Sequence, residues 1–173
     1  NNVKSSTHPK SLKSGLIMDT DEADLIPKIL AVDDNPSNLK LLCALMDDLN
    51  LDYDACDGGL KAIALSKENE YDLIFLDIQM PDLDGIETCR QIREFDKQFS
   101  KNRAIIALTA HALEDEKQTL LNKGFNHCLT KPIDIELIIK IIEHWTGFSP
   151  EESEQQDSHL QVNKSTVIDI NEG

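Results

Sequence analysis

The stretch Asp72–Gly85, DLIFLDIQMPDLDG, decides the fold. Asp72–Leu76 is the most hydrophobic run in the chain, and it stops at the carboxylate of Asp77. The run is apolar at successive positions rather than alternate ones, which predicts a strand buried on both faces, as in a parallel sheet. The Pro- and Gly-containing segment behind it breaks the strand. It leads into a helix from about Gly85 to Phe95 carrying Ile86, Cys89, Ile92 and Arg93.

The same alternation extends in both directions. Lys28–Val32 (KILAV) is an apolar run ending at Asp33-Asp34, and Asn35-Pro36-Ser37 then supplies a cap-type residue and a Pro suited to a first helical turn. Leu39, Leu42, Leu45, Met46 and Leu49 follow at helical spacing. Leu51–Cys56 is a more polar strand suited to a sheet edge, and Asp57-Gly58-Gly59 turns the chain into a helix containing Leu60, Ile63, Ala64 and Leu65. Downstream, Ala104–Leu108 (AIIAL) is buried and ends at Thr109-Ala110. A helix over Leu113–Lys123 is closed by Gly124. His127–Thr130 is a short fifth strand leading to Lys131-Pro132. The last helix runs from Ile133 or Asp134 to Trp145, with Leu137, Ile138, Ile141 and Ile142 on its inner side. Five strands alternating with five helices predict a parallel sheet covered on both faces, with ligands bound outside the carboxyl ends of the strands.

The flanks read differently. Residues 1–27 are rich in Ser, Lys, Thr and Asp and read as a disordered linker. Residues 148–173 form a similarly polar linker or tail, in which Val167–Ile170 could pair with something and His159 is an ordinary linker residue. The domain itself is expected over residues 28–147, and a chain that begins at Asn1 suggests a segment of something longer. A formal charge of −15 argues against nucleic acid or an anionic membrane as direct partners. Cys43, Cys56, Cys89 and Cys128 form no C-x-x-C pair, so neither a zinc site nor a disulfide framework is indicated, and free thiols fit a reducing cytoplasm. No run of about 18 apolar residues and no signal peptide is present, so this segment is expected neither to span a membrane nor to be exported by itself.

The strand ends carry the chemistry. Asp33/Asp34, Asp77, Thr109 and Lys131 follow strands one, three, four and five, and so share one edge of the sheet. Carboxylates crowded into one crevice raise each other's pKa, a conflict that a hard divalent cation such as Mg²⁺ resolves. With the Lys131 ammonium and the Thr109 hydroxyl opposite, the set suits phosphoryl transfer. Asp77 is expected to act as a nucleophilic carboxylate and form an acyl phosphate, with Mg²⁺, Lys131 and Thr109 each expected to neutralise or hydrogen-bond a peripheral oxygen.

The segments ILAVDDNPSN, DLIFLDIQMPDLDG, IIALTAHA and LTKPI resemble the receiver domains of two-component response regulators and hybrid kinases. They occur in order, with separations of 43 from Asp34 to Asp77, 32 to Thr109 and 22 more to Lys131. The resemblance implies a flavodoxin-like (CheY-like) three-layer αβα sandwich with strand order 2-1-3-4-5. It implies Mg²⁺ held by Asp33 or Asp34, Asp77 and the main-chain carbonyl of Gln79, and a cis Lys131-Pro132 bond. The spellings AVDDNPSNLKLL, DIQMPDLDGIE and ALTAHA are similar, more narrowly, to receivers inside BarA/GacS-type hybrid sensor histidine kinases. That resemblance implies a phosphorelay role: Asp77 takes the phosphoryl group from a kinase-core phosphohistidine and passes it to a histidine phosphotransfer domain. The domain would promote only its own phosphorylation and dephosphorylation, and the parent chain would be a membrane-anchored bacterial histidine kinase.

One position departs from the pattern. Many receivers carry Tyr or Phe three residues before the lysine, and its rotation reports phosphorylation; here that residue is Cys128. The departure suits a relay stop rather than the trigger of an attached output domain. Cys128 beside His127 does not suggest a nucleophile pair, since neighbours on a strand point to opposite faces. Gln79 and His111, each two residues beyond Asp77 and Thr109, are expected to set the lifetime of phospho-Asp77. A free-standing response regulator is the near alternative. A Mg²⁺-dependent aspartyl-phosphate phosphatase is a remoter one, because Gln79 stands where such enzymes carry a second Asp as general acid, and a partner-binding pseudo-receiver is argued against by the intact acidic and basic set.

Overall fold

The computed structural model describes residues 26–111 and 113–150. The proposed linkers over residues 1–25 and 151–173, including His159 and Val167–Ile170, lie outside the described residues. Five strands, β1 (Lys28–Val32), β2 (Asp52–Cys56), β3 (Leu73–Asp77), β4 (Ala104–Thr109) and β5 (His127–Thr130), form one sheet in the order β2-β1-β3-β4-β5, with every neighbouring pair parallel. The helices are α1 (Pro36–Asp48), α2 (Gly59–Glu68), α3 (Gly85–Phe99), α4 (Glu114–Asn122) and α5 (Ile135–Thr146).

The period-two geometry of the strands splits the core into two layers. Ile29, Ala31, Leu73, Phe75, Ile106 and Leu108 pack against Leu42, Leu45 and Met46 of α1 and Ile138, Ile141 and Ile142 of α5. The intervening residues Leu30, Val32, Ile74, Leu76, Ile105 and Ala107 pack against Ala62 and Ile63 of α2, Cys89 and Ile92 of α3 and Leu120 of α4. This is the expected three-layer sandwich, with the polar strand β2 at one edge.

The helix starts follow local chemistry. Asn35 caps α1 by accepting from the N–H of Ser37 and Asn38, with Pro36 at the first helical position. Asp84 caps α3 and Asp134 caps α5 in the same way. The N-cap of α2 is Gly58, which has no side chain to offer, and Asp82 from the β3–α3 loop substitutes by accepting from Gly59 and Leu60 N–H at 3.2 and 3.1 Å. Gly85 cannot be anything larger: a Cβ there would lie 2.3 Å from the carbonyl oxygen of Asp77 and 2.7 Å from the Cα of Ile78.

Several local readings need correction. Leu137 is 44% exposed and sits on the outer side of α5, because the sheet-facing stripe is set by Ile138, Ile141 and Ile142. Helix α3 continues a full turn past Phe95 to Phe99 and ends at Ser100 in the left-handed region. Its extra turn looks frayable in sequence, yet it holds Asp96, whose buried carboxylate pairs with Arg103 at 2.7 Å. Asp77 and Thr109 are the last residues of their strands rather than the first beyond them. Packing also passes Gly147, since Phe148 rests against the α1/α5 side of the core.

Candidate functional site

Strand register assembles the site. Val32 of β1 is level with Leu76 of β3, so Asp33 and Asp77 emerge side by side at the carboxyl end of the two central strands. Asp77 is level with Leu108, which places Thr109 one step further out on β4. Thr109 pairs with Thr130, and the Lys131 N–H donates to the Thr109 carbonyl at 2.8 Å. Five residues from four separate segments thus converge on one crevice, and the Lys131–Pro132 peptide bond beside it is cis.

The carboxylates are crowded. Asp33 and Asp77 are buried and Asp34 is exposed, yet an oxygen of each lies within 4.8 Å of the others. Lys131 Nζ lies between two of them, 2.9 Å from Asp77 Oδ1 and 3.2 Å from Asp33 Oδ2. Asp77 Oδ1 also accepts the Gln79 N–H at 3.2 Å, whereas Asp77 Oδ2 is buried without a hydrogen-bond partner. Asp33 Oδ1 accepts the Asn35 N–H at 2.9 Å, and its Oδ2 accepts from the Asn38 side chain at 3.3 Å.

The protonation preferences of Asp77 and Lys131 point in opposite directions. Burial pushes Asp77 up to about 6; the hydrogen bond from Lys131 opposes this, and contact with Asp34 and the charge of Asp33 reinforce it. Burial pulls Lys131 down, but its hydrogen bond to Asp77 and the charges of Asp33 and Asp77 outweigh that, so its pKa is raised. The ammonium is well satisfied and the Asp77 carboxylate, with Oδ2 unpartnered, is not. One cation cannot balance three clustered acids. An orphaned buried oxygen within an all-oxygen donor set fits a hard divalent ion.

The remaining candidates divide. Gln79 and His111 are both exposed, and the His111 N–H donates to Thr109 Oγ1 at 3.2 Å. Cys128 is buried among the α2/α3/α4 side of the core, while its neighbour His127 is exposed, so the two do not form a nucleophile pair. Phe125 is buried in that same layer, within the turn before β5. All four cysteines are free. Sequence reading passed over Asn38, which donates to Asp33, and Asp82, which ties the β3–α3 loop to the start of α2. A polar residue one turn into an otherwise apolar helix, and an Asp preceding a bare Gly-Gly helix start in space, are signals legible only with hindsight for Asp82 and in outline for Asn38.

Comparison with known proteins agrees with this geometry. Residues 29–143 match the family model described as the response regulator receiver domain. The signal transduction histidine-protein kinase BarA of Escherichia coli (strain K12) is 37% identical over 153 residues, 87% of this chain and 16% of BarA. Sensor protein GacS of Pseudomonas syringae pv. syringae is 36% identical over 151 residues, 85% of this chain and 17% of that protein. The chain therefore spans about a sixth of the length of these curated relatives. Among solved structures, a chain from the co-crystal of the Saccharomyces cerevisiae histidine phosphotransfer signaling protein Ypd1 and the receiver domain of its downstream response regulator Ssk1 superposes with a TM-score of 0.68. It is 33% identical, and the alignment covers 70% of this chain and 89% of that one. The receiver domain of the Pseudomonas aeruginosa sensor histidine kinase PA1611, with a magnesium ion coordinated in its active-site cleft, gives 0.61 at 31% identity, covering 71% and 99%.

Proposed function

The chain belongs to the response regulator receiver domain family, and from that premise we propose that Asp77 is its phosphoryl acceptor in a His-Asp phosphorelay. The observation that carries the reading is Lys131 Nζ set 2.9 Å from Asp77 Oδ1 among three carboxylates whose oxygens lie within 4.8 Å. An acceptor pKa of about 6 leaves the Asp77 carboxylate mostly ionised at neutral pH, as a nucleophile must be. It attacks the phosphorus of a phosphohistidine, a phosphorus–oxygen bond forms as the phosphorus–nitrogen bond breaks, and the electron pair leaves with the imidazole. Lys131 and the Thr109 hydroxyl bind peripheral oxygens of the transferred group.

Asp33, Asp34, Asp77 and the main-chain carbonyl of Gln79 are the groups that would hold Mg²⁺. Bound there, it would supply charge neutralisation for the clustered acids and the incoming phosphoryl oxygens. The donor is a kinase-core phosphohistidine and the recipient a histidine phosphotransfer domain, of the same or a partner chain, within a hybrid sensor histidine kinase in the cytoplasm. Residues 28–147 are its receiver, between linkers. Among the described residues no helix is long and apolar enough to cross a membrane. A buried Cys128 in place of an aromatic switch residue supports a relay stop, and exposed Gln79 and His111 are placed to govern the lifetime of phospho-Asp77.

Incubation with Mg²⁺ and acetyl phosphate, followed by intact mass measurement, tests the central claim. Wild type should gain one phosphoryl group and Asp77→Asn none; equal labelling of both would refute it. Substituting Gln79 and His111 together should change the dephosphorylation rate, and an unchanged rate would remove them from that role.

A further inference from the structure

Asp33 is fully buried, and each of its oxygens is held by a different part of the helix that follows it. Oδ1 takes the Asn35 main-chain N–H at 2.9 Å. Oδ2 takes two donors of different kinds, the Lys131 ammonium at 3.2 Å and the neutral side-chain amide of Asn38 at 3.3 Å. Asn38 is half-buried on the first turn of α1, and its own N–H is fixed by Asn35 Oδ1 at 3.2 Å. The side chain therefore starts from a capped, rigid backbone position.

The two donors to Oδ2 do not have the same fate. Lys131 is shared with Asp77 and is also the group proposed to bind the transferred phosphoryl oxygens, so it is drawn toward Asp77 when that residue is modified. Asn38 carries no charge, and its side-chain amide donates to Asp33. We propose that Asn38 is a positioning residue: its amide holds the Asp33 carboxylate in a ligating orientation and so sets the affinity of the site for a divalent cation. This rests on the reading that Asp33 is a cation ligand. The reasoning is that of any donor behind a metal-binding acid. A buried carboxylate free to rotate must be re-ordered on binding, and loss of such a partner typically lowers metal affinity roughly 10–100-fold. At 3.3 Å and half-buried, Asn38 belongs at the lower end of that range.

The experiment is titration of Mg²⁺ by isothermal calorimetry, without phosphodonor, into wild type, Asp33→Asn, Asn38→Ala and Asn38→Leu. Alanine favours the helix and leucine keeps the volume, so both variants should retain the native circular dichroism spectrum in EDTA. Both Asn38 variants should bind Mg²⁺ about tenfold more weakly than wild type. Their labelling by acetyl phosphate should be slow at low Mg²⁺ and recover at saturating Mg²⁺, which a general loosening of the fold would not produce. Wild-type affinity in both folded Asn38 variants, with weak binding in Asp33→Asn, would overturn the inference and leave the cation reading standing. A labelling defect that persists at saturating Mg²⁺ with unaltered affinity would also overturn it. Absence of Mg²⁺ binding by wild type would instead remove the reading on which it rests.

Discussion

Replacing Asp77 with asparagine should remove the proposed phosphoryl acceptor and, at the same time, make the protein more stable at neutral pH. The folded state lifts this carboxyl from an ordinary 3.8 to about 6, burial being the largest cause. Two units at about 1.4 kcal/mol each amount to roughly 3 kcal/mol held against the folded state once the group is ionised. The attraction of Lys131 is already contained in that net shift. Asparagine cannot ionise but can still accept from Lys131, so a gain of about 2 kcal/mol is expected at pH 7.5. With a urea slope of roughly 1–3 kcal/mol/M, the unfolding midpoint should rise by about 1 M.

The pH dependence fixes the cause. Below about pH 4 the wild-type carboxyl is protonated in folded and unfolded chains alike and costs nothing. Between about 4 and 6 the folded state keeps a proton that the unfolded state has released, so stability falls as pH rises, and above 6 the full penalty applies. The advantage of Asp77→Asn should therefore be present at pH 7.5 and vanish at pH 4, measured in EDTA by urea denaturation. Added Mg²⁺ should narrow the gap, because a ligand of the native carboxylates stabilises wild type more than the variant. A variant no more stable than wild type at pH 7.5, or equally more stable at both pH values, would refute the electrostatic account.

Gly85→Ala should cost roughly 3 kcal/mol in urea denaturation and depress labelling of Asp77, since its Cβ meets the unyielding backbone of Asp77 and Ile78 rather than a movable side chain. Arg103→Met should cost at least about 3 kcal/mol and lower the melting temperature by roughly 10 °C, because it strands the buried Asp96 carboxylate and frees the Ser66 and Asn69 carbonyls. A loss below about 1 kcal/mol would mean that Arg93, 3.5 Å from Asp96, suffices on its own. Asp82→Ala should cost about 1 kcal/mol by uncapping α2, and denaturation in parallel with Asp82→Asn, which keeps an acceptor, should show only a partial loss.

Most of the architecture was legible because it is written in short-range patterns. Continuous apolar runs marked β1, β3 and β4, and Asn35, Asp84 and Asp134 cap their helices through hydrogen bonds reaching two or three residues. Position at a strand end was enough to nominate Asp33, Asp34, Asp77, Thr109 and Lys131. The misreadings have a common source. Leu137 has the same apolarity as Ile138, and only the direction of the sheet decides which of two adjacent residues it buries. The last turn of α3 is polar in sequence and is held by Arg103, seven positions away across a left-handed Ser100.

The sequence by itself determined that five strands and five helices alternate and that acids, a hydroxyl and a lysine close the strands. These features depend on neighbours within a helical turn or a single run. Only the tertiary structure decided that Asp33 and Asp77 stand level, that Lys131 bridges both, that Asp77 Oδ2 is left without a partner, that Asn38 reaches back to Asp33, and that Asp82 reaches from the β3–α3 loop to the start of α2. Lys131 and Asp77 are 54 positions apart, and their separation in space follows from strand register, which no local pattern specifies. The perturbed ionisation of Asp77 depends on the same register, because it sums burial with the effects of Asp33, Asp34 and Lys131 from two other segments of the chain.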